Sequence, residues 1–178
     1  MVRTRVGYAG GKKVDPTYRD MGDHTETMQV DFDSKVISYE KLIRLFFKEH
    51  NPCATPWGRQ YMSILLTHSD EQAKTAKKLV AEIEETTGKD VTTEIAPLVR
   101  FYRAEDYHQK YSLRRSPRLL AELAEMYPSA KDLTDSTAAA RLNAYLGGHR
   151  SKAKLEEEID SLGLSEEGRT LLRGMVRR

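Results

Sequence analysis

Polar and apolar positions alternate along Glu26-Thr27-Met28-Gln29-Val30-Asp31-Phe32-Asp33, the period-two pattern of a half-buried strand. Residues 2–9 also read as a strand. The loop between them is rich in Gly, Lys and Asp, and Gly10-Gly11 supplies freedom for positive φ. After Asp33-Ser34 the period lengthens: Leu42, Ile43, Leu45, Phe46 and Phe47 form a helical apolar stripe. It predicts a helix over 38–49, with Ser38 as N-cap and Lys41, not an acid, at the box position. A turn segment, His50 to Gly58, leads to a predicted strand at 61–66. Ser69-Asp70-Glu71-Gln72 is a capping box that opens a long helix over 69–86, which Thr86-Thr87-Gly88 ends. Residues 92–99 read as a strand with Pro97 near its end, which places it at a sheet edge. Helices between strands, with one hairpin-like pair, predict an α+β sandwich of one sheet covered by helices.

From about Ala104 the pattern is helical and charged, with Pro117 read as an interruption. Asp135-Ser136-Thr137 caps a helix through Tyr145 that Gly147-Gly148 closes. Leu155, Ile159, Leu162, Leu164, Leu171 and Leu172 then predict two short helices, the second starting at Ser165-Glu166-Glu167. The apolar faces of this tail must dock on the main domain or on each other. The expected division is 1–127 and 128–178.

The 29 basic and 27 acidic residues nearly cancel, to a net charge of +2. That is too mild to argue for nucleic acid, and the acids within Leu155-Glu156-Glu157-Glu158-Ile159-Asp160 argue against a basic binding tail. Arg173, Arg177 and Arg178 read as a solvated face. No apolar run approaches the roughly 20 residues that span a bilayer, and no apolar stretch follows Met1-Val2-Arg3-Thr4-Arg5 as in a secretory signal. The single cysteine, Cys53, excludes a disulfide within the chain and argues against a cysteine-based zinc site. A cytoplasmic location is the default expectation.

Five segments carry a resemblance: Val6-Gly7-Tyr8-Ala9-Gly10-Gly11, Pro16-Thr17-Tyr18, His24-Thr25-Glu26, Gly58-Arg59-Gln60-Tyr61-Met62-Ser63, and Tyr102 to Tyr111 with its Ala104-Glu105-Asp106-Tyr107-His108-Gln109. In this order, over roughly residues 4–111, they resemble the A-type peptide methionine sulfoxide reductases (MsrA). The resemblance implies a two-layer α/β sandwich, a ferredoxin-like MsrA-type core, here with a helical C-terminal extension. It implies thiol-dependent reduction of the S epimer of methionine sulfoxide, in proteins or free, by a monomer. No bound cofactor is implied. The external reductant is thioredoxin-like. In that chemistry a thiolate attacks the sulfoxide sulfur and becomes a sulfenic acid, which a second thiol reduces. The departing oxygen needs a proton from a carboxylic acid and hydroxyl donors to polarise the S–O bond.

By resemblance Glu26 is the acid, Tyr8 and Tyr61 are the oxygen-binding tyrosines, and Gly7 and His24 shape the substrate site. Outside the motif, Glu26 would read as a solvated acid at a strand start, and the tyrosines as ordinary half-buried strand residues. Trp57 reads either as a wall for the substrate methyl or, the favoured choice, as a loop anchor packed on the core edge. Two departures stand out. The family's nucleophile lies in a Gly-Cys-Phe-Trp-Gly stretch upstream of Val-Gly-Tyr, whereas six residues precede Gly7 and none is Cys or Trp. The expectation is an N-terminally incomplete product, with a natural short form, a non-catalytic pseudo-enzyme that binds oxidised methionine or a protein partner, as the alternative. The family often places an Asn-Asp pair before the second tyrosine, where Thr55 and Pro56 stand here, so its ordering acid is expected to be absent. Cys53 could serve as nucleophile or resolving thiol. A small buried or half-exposed cysteine filling a loop is the favoured reading, because free cysteines mostly behave as small buried apolar residues. His50, three residues away, is the one nearby group suggestive of activation.

Overall fold

The computed structural model describes residues 2–176; Arg177 and Arg178, read above as part of a solvated face, lie outside them. The fold is α+β with a helical C-terminal part. Contacts group the described residues into two compact units, 6–28 with 32–104, and 2–5 with 29–31 and 105–176. Among the described residues no helix is long and apolar enough to cross a membrane.

The alternating segments do become strands. β1 (Arg3–Ala9) is the middle strand of three, flanked by β2 (Thr25–Asp31) and β5 (Phe101–Arg103). β1 and β5 are antiparallel, with Gly7 opposite Arg103 and Tyr8 opposite Tyr102. A Cβ on Gly7 would run into the Tyr102 carbonyl and the Phe101 ring, so the bare glycine is what lets β5 pair here.

The helical stripe also holds. α1 (Tyr39–Lys48) starts where Ser38 accepts the Lys41 amide at 3.2 Å. It buries Ile43 and Phe47 against Ala76 and Leu79 of α2 (Asp70–Thr87). Ser69 caps α2 by accepting the Gln72 amide, and Gly88 ends it in the left-handed region at φ 65°. α2 connects β3 (Ile64–Thr67) to β4 (Glu94–Pro97), which pair in parallel from Ile64–Glu94 to Thr67–Pro97. Pro97 thus sits on an edge strand, as its missing N–H requires.

Three expectations are corrected. The strands form a sheet of three and a separate sheet of two, not one sheet; alternation marks a strand without naming its partner. The strand expected from residue 61 begins at Ile64, because residues Arg59–Tyr61 close a 3-10 turn with the Tyr61 amide on the Gly58 carbonyl at 3.2 Å. Phe101–Arg103, where no strand was expected, is one.

The second unit is mostly helical: α3 (Tyr111–Arg114), α4 (Pro117–Met126), α5 (Ala130–Asp135), α6 (Thr137–Leu146), α7 (Lys152–Glu158) and α8 (Glu166–Met175). Pro117 does not interrupt a helix; it is the first residue of α4, where its missing N–H costs nothing. Ser129, Ser136, Ser151 and Ser165 each cap a helix by accepting the amide three residues on. The tail's apolar faces dock on each other: Leu119, Leu123, Leu133, Leu142, Leu155, Leu162 and Leu172 share one buried cluster. Within it the Tyr145 hydroxyl donates to Glu158 at 2.6 Å, and burial, with that carboxylate, pushes the phenol up to about 12. In the same unit Arg5 donates to Asp135 at 2.6 Å and the Lys110 ammonium to the Thr4 carbonyl at 2.6 Å.

Candidate active site

The loop after β1 folds back on the residues entering β2. The Asp23 carboxylate accepts the Lys12 amide at 2.8 Å and the Lys13 amide at 3.2 Å, and these donors hold its pKa below the usual carboxylate value. His24 is buried. Its Nδ1 accepts the Gly11 amide at 3.1 Å while Nε2 donates to the Lys13 carbonyl at 2.8 Å. Those partners fix one tautomer and leave neither nitrogen for substrate. The ring meets Tyr102 edge-on at 5.4 Å. His24 therefore shapes the loop, and Gly7 acts through strand pairing.

Glu26 is exposed on β2 and accepts a hydrogen bond from Gln60 Nε2 at 2.8 Å. Tyr61 follows at the end of the 3-10 turn and is 60% exposed. Desolvation raises its phenol pKa first, then the phenol of Tyr18, the charge of Glu26 and a hydrogen bond with Tyr18. Glu26, Gln60, Tyr61 and Tyr18 thus share one electrostatic neighbourhood from three separate segments. Tyr8 is 2% exposed and packs with Met21 and Ala104.

Tyr18 and Gln60 are the residues that the sequence reading passed over. Both lie inside quoted motif pieces. Thr17 and Asp20 exchange backbone hydrogen bonds at 3.2 and 3.1 Å, which puts Tyr18 within a tight turn and leaves it 42% exposed. A large aromatic in such a turn was the available signal.

Trp57 is 98% exposed, so it neither anchors the loop on the core, as favoured above, nor walls an enclosed pocket. It lies before the 3-10 turn of Arg59–Tyr61, in a stretch, residues 54–58, that is exposed throughout. Cys53 is partly buried and lines a cleft of about 490 Å³ with Arg44, Phe47, Lys48, Leu79 and Ile83. Glu26, Tyr61 and Tyr8 are not among that cleft's residues. His50 does not activate the thiol: Nδ1 donates to the Phe46 carbonyl at 2.8 Å, and Nε2 meets Ser63 Oγ at 2.9 Å.

Residues 1–141 match the family model "Peptide methionine sulfoxide reductase", and residues 129–175 match "Selenoprotein methionine sulfoxide reductase A, helical domain". A peptide methionine sulfoxide reductase of Drosophila melanogaster is 42% identical over 167 residues, 93% of this chain and 67% of that protein. Peptide methionine sulfoxide reductase A5 of Oryza sativa subsp. japonica is 37% identical over 91% of this chain and 66% of its own length. The chain therefore spans about two thirds of these relatives. The crystal structure of Mxr1 from Saccharomyces cerevisiae in reduced form superposes with a TM-score of 0.58 at 34% identity, over 65% of this chain and 71% of that one. Motif order, fold and these matches agree: the chain belongs to the peptide methionine sulfoxide reductase A family.

Proposed function

We propose that this chain supplies the oxygen-binding and proton-donating side of a site that reduces the S epimer of methionine sulfoxide, in proteins or free. The observation that carries this reading is the meeting of Glu26, Gln60, Tyr61 and Tyr18. The Tyr61 and Tyr18 hydroxyls donate to the sulfoxide oxygen, and Glu26 hands it a proton as the S–O bond breaks. Tyr18 takes the role that the sequence reading gave to Tyr8, whose burial suits a packing role. The thiolate attack on sulfur, with oxygen passing to the thiol as a sulfenic acid, needs a cysteine at that site. Cys53 lies in another setting, so the 178 residues by themselves do not turn over. A thioredoxin-like thiol would reduce the resulting sulfenic acid back to the thiol. A catalytic part over 1–127 is followed by a helical extension, and the helical-domain match over 129–175 supports the latter. The placement of Cys53 also favours a second reading, sulfoxide binding without turnover.

The test is a turnover assay with dithiothreitol on a chiral methionine sulfoxide, alongside titration of ring-labelled tyrosines with the same compound. The expected result is no turnover by this chain, turnover once a Gly-Cys-Phe-Trp segment and its strand are joined to it, and a saturable response of Tyr61 and Tyr18 to the S epimer. Turnover that disappears in Cys53→Ser would make Cys53 the nucleophile and overturn the reading. An extended chain that binds sulfoxide but remains inert would favour the second reading.

A further inference from the structure

We propose that Arg59 is a positioning residue for this site; the inference rests on the sulfoxide reading above. The turn bearing Gln60 and Tyr61 cannot hold itself in place. It is three residues long, has no side-chain cap and buries none of its residues, and short 3-10 turns have poor hydrogen-bond geometry. Residues 54–58 before it are all exposed. The ordering acid expected upstream is replaced by Thr55 and Pro56.

Arg59 supplies the missing anchor. Its guanidinium donates through Nη2 to the Gly10 carbonyl at 2.7 Å, through Nε to the Asp23 carbonyl at 3.0 Å and through Nη1 to Glu94 at 2.8 Å. Nη1 also lies 2.8 Å from the Met62 sulfur. One planar fork thus ties the turn to the end of β1, to the segment before β2 and to β4. From the other side, the buried Thr25 hydroxyl donates to the Arg59 carbonyl at 2.8 Å. Thr25 is next to Glu26, and Arg59 is next to Gln60, which bonds Glu26. The tether therefore sets how the acid faces the phenol. A lysine could keep the charge beside Glu94 but could not reach two carbonyls with fixed geometry. Small misplacement of reacting groups is costly, up to about 100-fold per ångström.

The experiment compares Arg59→Lys, Glu94→Gln and the parent chain. The readouts are the Tyr61 phenol titration, assigned with Tyr61→Phe, and saturable binding of dimethyl sulfoxide. The expected result is that Arg59→Lys returns the Tyr61 titration toward that of an ordinary phenol and weakens sulfoxide binding about tenfold. Far-UV circular dichroism stays the same. Glu94→Gln, which keeps the two carbonyl bonds, changes both readouts less. Unchanged Tyr61 titration in a folded Arg59→Lys protein overturns the proposal. Should that variant not fold, Thr25→Val loosens the same turn from its other side, and an unaltered Tyr61 there overturns it equally. A parent chain without saturable sulfoxide binding defeats the functional reading instead, and the Tyr61 titration then decides the positioning role alone.

Discussion

The helical unit gathers thirteen buried apolar side chains into one cluster, whereas the site-bearing unit divides its own between a group of four and a group of three. The helical side is held by burial, with serine caps satisfying its helix ends. On the site side, Asp23, His24 and Arg59 hold the loops by hydrogen bonds to backbone groups. Residues that meet a substrate stay near the surface and cannot be anchored by burying themselves. Directional polar tethers take over that task, and they are more easily disturbed by local change than a shared core.

The largest test of this contrast is truncation inside each core. Leu123→Ala should destabilise the helical unit by about 2–5 kcal/mol in calorimetric or denaturant unfolding, without altering the Tyr61 titration. A shifted Tyr61 titration would break the contrast. Leu79→Ala should cost about 2 kcal/mol, the low end of the range for such truncations, because Leu79 borders the cleft beside Cys53 and its neighbours can relax into it.

Losing one cap is a smaller perturbation. Ser136 accepts the Ala139 amide at 3.0 Å and donates to the Leu133 carbonyl at 3.0 Å. Ser136→Ala should cost about 1 kcal/mol, read as a lower melting temperature with unchanged sulfoxide binding.

Extremes of pH should separate the units. The Tyr145 phenol is raised from 10.0 to about 12 in the folded chain. Its stabilisation is complete below the unfolded value and is lost as pH rises through that window, where the unfolded state releases its proton first. Tyr145→Phe should flatten the alkaline slope of helical unfolding. Asp23 is lowered from 3.8, so its contribution is present above that value and fades as pH falls below it. Asp23→Asn should flatten only the acid response of the 10–13 loop, followed by amide exchange. The smallest effect belongs to the exposed Lys154–Glu157 pair, where Lys154→Ala should change stability by no more than about 0.5 kcal/mol.

The sequence by itself determined the local structure of this chain. Period and capping were enough for β1, β2, α1 and α2, because Ser38, Ser69 and Gly88 satisfy helix ends wherever the helix finally packs. Motif order was enough for the family and for Glu26 and Tyr61 as candidates. Tertiary structure decided who pairs with whom. It split the strands into two sheets and turned Pro117 from a supposed break into a helix start. It buried Tyr8 while presenting Tyr18, and it joined Arg59 to carbonyls 49 and 36 residues away. Alternation and spacing record which face of an element is apolar, but they hold no information on which distant backbone oxygen a guanidinium will reach. That depends on how the loops close.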